Sequence, residues 1–117
     1  MILAYVTTDE VNEGLALQIA DECHINMRPL SSGDELAGGR FDAVLFDWDS
    51  LPLERRQQVP LDSLAGLSSC PVAVHGTEVA EEEAEALHED GVAVFRRLEP
   101  KVFKSLRQLA KRSARPI

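Results

Sequence analysis

The chain has 117 residues, of which 44% are hydrophobic and 27% charged, and its net charge is −8. That length supports one domain that buries roughly two thirds of its unfolded surface without disulfide or metal staples. No apolar run reaches the ~20 residues of a membrane-spanning helix, and the opening MILAYV lacks the basic flank of a secretory leader, so a cytoplasmic protein is expected.

Ile2 to Val6 is the first apolar run and reads as a buried parallel strand. After Thr7, Thr8 and Asp9, a helix is predicted over Val11 to Ala20. Val11, Leu15 and Ile19 recur at four-residue spacing there, and Ala16 and Ala20 widen the stripe that would pack on a sheet. Asp9 stands where an acid favours the exposed amides of a helix start. A weaker strand is predicted over Ile25 to Leu30. Gly33 to Arg40 then leaves room for about one helical turn before Gly38 and Gly39, a shortened crossover.

The stretch FDAVLFDWDSLP follows, with a strand over Asp42 to Phe46 that runs into Asp47, Trp48 and Asp49. Pro60 interrupts the next helical segment, between Leu53 and Leu67. Pro71 to Val74 gives a fourth strand leading to His75, Gly76 and Thr77. Glu78 to His88 is rich in alanine and glutamate, hence helical, and Gly91 is its stop. Val92 to Phe95 is the fifth strand. The last helix, Pro100 to Arg112, opens on a proline suited to a first turn. It sets Val102, Phe103, Leu106, Leu109 and Ala110 on one face and Lys104, Arg107 and Lys111 outward.

Strands alternating with helices imply βαβ units with right-handed crossovers. The expected architecture is a single α/β domain over residues 1–117. It has three layers, α/β/α, around a five-stranded parallel sheet, with a shortened second helix and an irregular third.

Cys23 and Cys70 have neither a CxxC partner nor a histidine pair and read as small buried hydrophobes. Charge is divided along the chain: residues 1–95 carry a balance of −15 and residues 96–117 one of +7. The acidic body argues against nucleic acid, and only Phe103 interleaves the basic residues as an aromatic.

Taken in order, VTTDEVNEGL, VLFDWDSLP, the GDEL turn, CPVAVHGT and DGVAVFRRLEP resemble the receiver domain of two-component signalling. That resemblance implies the flavodoxin-like (CheY-like) fold with strand order 2-1-3-4-5. In working receivers an acid pair after the first strand and an aspartate after the third hold Mg²⁺, which neutralises the phosphoryl group passed to that aspartate. A hydroxyl residue after the fourth strand and a lysine after the fifth sense the new phosphate.

Carried onto this chain, the resemblance gives Asp47 as the phosphoacceptor equivalent. Thr7 and Thr8 stand at the acid-pair positions. Gly76 or His75 falls where the hydroxyl residue is expected, with Thr77 one place late, and Arg96 or Arg97 approximates the lysine. Two threonines in place of two carboxylates remove about two negative charges from a divalent-cation site. Asp9 and Asp49 are the acids near enough in sequence to compensate.

Asp47 has two readings, a strand-end acid held by local hydrogen bonds or a phosphoacceptor. Trp48 is either an exposed anchor for a partner or packed on the top of the sheet. His75 is a satisfied structural histidine or a partner for Asp47. The fourth helix, fifth strand and last helix form the family's output face. Here they join an acidic helix to the basic residues Lys101, Lys104 and Arg107, and two copies related by a two-fold axis could pair acid with base.

The expected function is an atypical receiver that acts as a phosphorylation-independent interaction module in signal transduction. It would be no enzyme, bind protein partners and carry no cofactor. The alternative is a genuine phosphoacceptor in which Asp9, Asp47 and Asp49 rebuild an Mg²⁺ site. A third, a small enzyme or flavin-binding protein, lacks a glycine-rich phosphate loop after the first strand.

Overall fold

Short apolar runs supply most strands of a computed structural model that describes residues 1–31, 41–50, 71–89 and 91–114, the final two as backbone alone. The strands are β1 (Ile2–Val6), β2 (Asn26–Leu30), β3 (Ala43–Asp47), β4 (Val72–His75) and β5 (Ala93–Phe95). The described helices are α1 (Glu10–Glu22), α2 (Glu81–Glu89) and α3 (Pro100–Ala114), with a 3₁₀ turn over Trp48–Ser50. Every pairing is parallel and the order is β2-β1-β3-β4-β5, as the sequence predicted. The expected short second and irregular third helices, and Cys70, lie outside the described residues.

Side chains alternate between faces along each strand, and this parity divides the core in two. Leu3, Tyr5, Ala43, Leu45 and Ala73 face α1 and α3, where they meet Ala16, Ile19, Ala20, Phe103 and Leu106. Ala4, Val6, Val44, Phe46, Val72 and Val74 face the other way, onto Trp48, Val79, Leu87 and Val92. Burying a large apolar side chain is worth roughly 1.5–3 kcal/mol. Phe103 and Leu106, both fully buried, therefore anchor α3.

Helix α1 buries Ile19, Ala16 and Ala20 of the expected stripe and corrects the rest. Val11 is 78% exposed and Leu15 43%, while Ala16, Ile19 and Ala20 are buried. The inward positions are Asn12, Ala16, Ile19, Ala20 and Cys23, a stripe of small residues that lets the helix lie close to the sheet and turns Asn12 toward the strand ends. The helix stops at Cys23 in a Schellman arrangement: Ile25 N–H donates to the Ala20 carbonyl at 2.8 Å and His24 N–H to Asp21 at 3.1 Å. His24 takes the left-handed position usually given to glycine, at φ 59°.

Helix α2 starts at Glu81, three residues later than the composition implies. Thr77 and Glu78 spend their backbone amides on Asp49, and Glu83 Oε1 accepts the Ala80 N–H at 3.2 Å to cap the first turn. Past its other end Gly91, at φ 84°, donates to the His88 carbonyl. On α3, Arg107 is half-buried rather than outward, and its Nη2 is buried without a hydrogen-bond partner. Among the described residues no helix is long and apolar enough to cross a membrane.

Candidate functional site

Parallel strands bring their carboxyl ends to one rim of the sheet, and the residues that end β1, β3 and β4 meet there. Asp47 closes β3 directly opposite His75, the last residue of β4. Period-two parity places Asp47, His75 and Tyr5 on the face covered by α1 and α3. Thr7 follows β1 on that same parity. All four are buried, Asp47 and Tyr5 completely.

Two neutral donors hold Asp47. The Thr7 hydroxyl donates to Oδ2 at 2.7 Å, and Nδ2 of Asn12, in the first turn of α1, donates to the same oxygen at 2.9 Å. Oδ1 is buried with no hydrogen-bond partner and lies 3.8 Å from Nε2 of His75. That nitrogen is hydrogen-bonded instead to the Tyr5 hydroxyl at 2.7 Å.

Burial dominates the protonation of both rings. It pushes the Tyr5 phenol far above its ordinary range, with the nearby Asp47 charge acting in the same direction. It lowers His75 below its ordinary value, against the opposing pull of Asp47 and Asp49. Both rings are therefore neutral at neutral pH.

Ser50 draws the loop after β3 onto the loop after β1. Its hydroxyl donates to the Asp47 carbonyl at 3.1 Å and accepts the Thr8 N–H at 3.2 Å, while the Thr8 hydroxyl donates to the Ser50 carbonyl at 3.0 Å. Thr8 thus stitches the two loops together. Thr7 also accepts the Asp9 N–H at 3.0 Å.

The two acids nearest in sequence are engaged elsewhere. Asp9 is the N-cap of α1, where Oδ1 accepts the Val11 and Asn12 amides at 2.9 and 3.1 Å. Asp49 reaches to the loop between β4 and α2, where it accepts the Thr77 amide and hydroxyl and the Glu78 amide. Gly76 is buried beneath it. Arg96 donates through Nη1 to the Val79 carbonyl.

Of the two readings of Trp48 the packed one holds: it is 2% exposed and packs on the face opposite Asp47, because it is one residue out of phase with it. Lys101 and Lys104 are exposed on α3.

Sequence reasoning missed Asn12, Tyr5 and Ser50 as members of the site. A signal existed for Asn12, since the spacing 12, 16, 20 marks a helix face as well as 11, 15, 19 does. For Tyr5 and Ser50 the contacts span strands distant in sequence, and nothing local announces them.

No protein-family model and no curated protein sequence matches the chain. Solved structures do match: the fold is that of the response-regulator receiver domains, as the sequence resemblance implied. The apo receiver domain of Nitrogen Regulatory Protein C has a TM-score of 0.72 at 13% identity, over 96% of this chain and 92% of that one. The receiver domain of a sensor histidine kinase from Pseudomonas aeruginosa PAO1, with a magnesium ion in its active-site cleft, has a TM-score of 0.69 at 14% identity over 95% and 94%. The Mn²⁺-bound response regulator Rcp1 has a TM-score of 0.68 at 17% identity, over 92% and 90%. At such identities the likeness is one of fold, and function has to be argued from the site.

Proposed function

We propose that this chain is a pseudo-receiver, a receiver-fold module of a signalling system that docks protein partners and whose state is not set by phosphorylation of Asp47. One observation carries the reading: the Thr7 hydroxyl and the Asn12 carboxamide both donate to Asp47 Oδ2. The positive ends of two dipoles therefore occupy the space beside the carboxylate, where a divalent cation needs lone pairs and negative charge. Mg²⁺ is bound through carboxylates, waters and phosphate oxygens in near-ideal octahedral geometry. A single buried carboxylate ringed by hydroxyl and amide donors does not fit it.

The remaining parts agree. Oδ1 of Asp9 and both oxygens of Asp49 accept backbone amides, and Arg96 is directed to a carbonyl. Phosphorylation switches act by adding charge that biases a two-state loop, and among the described residues no group of three or more His, Cys, Asp or Glu is gathered to hold the cation that would assist the transfer. The docking surface flanks the edge strand β5. Helix α2 presents the exposed acids Glu81, Glu82 and Glu85 on one side, and α3 the exposed bases Lys101, Lys104 and Lys111 on the other. A partner with both charge signs, a second copy of this chain included, is complementary to that surface.

Acetyl phosphate with Mg²⁺ should leave the intact mass of the protein unchanged. An added phosphoryl group that disappears in Asp47→Asn would overturn the proposal. The competing phosphoacceptor reading is favoured by one feature, the Asp47 Oδ1 that lacks a hydrogen-bond partner. It requires saturable quenching of Trp48 fluorescence by Mg²⁺, where the pseudo-receiver gives a flat titration.

A further inference from the structure

Asp49 lies two residues past Asp47, yet its carboxylate belongs to a different part of the molecule. Oδ2 accepts the Thr77 N–H at 2.9 Å and the Thr77 hydroxyl at 3.1 Å, and Oδ1 accepts the Glu78 N–H at 3.0 Å. Two successive main-chain amides and a hydroxyl converging on one anion make a donor set of the kind that receives free oxyanions. These donors belong to the loop, since α2 begins only at Glu81.

The position is also reserved sterically. A Cβ at Gly76 would stand 2.8 Å from Asp49 Oδ1 and 2.9 Å from the Cβ of Trp48, so a residue with any side chain there would displace the carboxylate. From the side of β5, Arg96 grips the Val79 carbonyl. Thr77, Glu78 and Val79 are thus held one after another, by an acid from the end of β3 and a base from the end of β5.

We propose that Asp49 is a built-in oxyanion. Its carboxylate occupies the loop's own anion receptor, fixes the loop and the approach to α2 in the anion-bound form, and leaves an external phosphate or phosphoryl group no seat there. The inference rests on the pseudo-receiver reading and deepens it from the receiving side: the loop has no vacant state from which to be switched. A tethered anion also competes at a high effective concentration, so free phosphate displaces it poorly.

The test follows the backbone amide resonances of the isotope-labelled full chain during titration with inorganic phosphate, against sodium chloride at equal ionic strength. In the wild type, Thr77 and Glu78 should be indifferent to phosphate. In Asp49→Ala their hydrogen exchange should accelerate about tenfold or more, the factor carried by one charge-assisted hydrogen bond, while amides of β1 and β3 keep their rates. Phosphate should then shift Thr77 and Glu78 saturably in this variant.

Unchanged exchange at Thr77 and Glu78 in Asp49→Ala overturns the proposal. So do phosphate shifts no larger than those given by chloride, or a wild type that responds as strongly as the variant. Asp49→Asn keeps the side chain's shape and one acceptor and guards against a variant that fails to fold. It should show the same acceleration by a smaller factor, and unchanged rates there are equally fatal. These amides report on the loop and not on Asp47, so phosphorylated Asp47 with Thr77 and Glu78 still bound to Asp49 would sink the pseudo-receiver reading alone.

Discussion

The Tyr5 hydroxyl and Nε2 of His75 are hydrogen-bonded at 2.7 Å, with their rings stacked at a centroid distance of 5.6 Å beneath the rim of the sheet. The pair joins the ends of β1 and β4 across the intervening β3, and it puts two titratable rings into the core beside Asp47. Both rings are held neutral by burial, so stability depends on pH at both extremes.

On the acid side, His75 is the group to follow. Its folded-state pKa is lowered by burial, the charges of Asp47 and Asp49 offsetting only part of that. The unfolded chain therefore takes up a proton at a higher pH than the folded one does. Stability is full above the unfolded value of about 6.5 and falls as pH drops below it, by up to about 1.4 kcal/mol for each unit of depression. Urea unfolding followed by Trp48 fluorescence from about pH 7.5 to about pH 5.5 should show this loss. The slope should flatten in His75→Gln, and an equal slope in both proteins would assign it to other groups.

On the alkaline side the signal is Tyr5, the single tyrosine of the chain. Its pKa is raised by burial first and by Asp47 second. The resulting stability is present below the unfolded value of about 10 and is lost as pH rises through and beyond it. Tyrosinate absorbance should therefore appear only together with unfolding. A smooth titration near the ordinary value in folded protein would contradict the buried, hydrogen-bonded phenol.

Thr7→Val should destabilise the fold by about 1–3 kcal/mol, because it removes the donor to Asp47 and the acceptor of the Asp9 amide while keeping the side chain's size. Thr7→Ser keeps both bonds and should recover most of the loss. Denaturant midpoints at unchanged m-value are the appropriate comparison.

Placing acids at the two threonine positions tests the electrostatic argument directly. Thr7→Asp combined with Thr8→Asp should be less stable than the wild type in chelator, since it crowds carboxylates around buried Asp47. It should regain about 2.7 kcal/mol when Mg²⁺ reaches a hundredfold excess over its dissociation constant. The wild-type melting temperature should not respond to Mg²⁺, and a response would mean that a cation site already exists.

His24→Gly should stabilise the protein by about 1 kcal/mol, since the left-handed conformation costs an L-residue more than the extra unfolded-state freedom of glycine. His24 is exposed, so no packing is lost. Thermal unfolding of the pair measures the difference.

Much of this arrangement could be read from the chain before any fold was known. The apolar runs sit within a residue or so of the strands, and Pro100 and Gly91 mark a helix start and stop, because these signals are local: side-chain period, propensity and backbone freedom. The parallel sheet followed from alternation, and the strand order from the resemblance. On α1 the sequence marks Ala16, Ile19 and Ala20 as inward but leaves the edge of the stripe open, because Val11 with Leu15 and Asn12 with Ala16 both satisfy helical spacing. Packing of Ala16, Ile19 and Ala20 on the sheet sets that edge, and Asn12 meets Asp47, a residue far along the chain, only after folding.

By itself, then, the sequence determined the parallel α/β sheet, the placing of Asp47 at its carboxyl rim and the absence of acids at positions 7 and 8. Those depend on residue type and order. Tertiary structure decided that Trp48 is buried, that Asn12 reaches Asp47, and that Asp49 leaves the site for the loop after β4. Each of those outcomes depends on which groups come together once strands distant along the chain are side by side, and for the two carboxylates a hydrogen bond is decided at about 3 Å rather than by proximity along the chain.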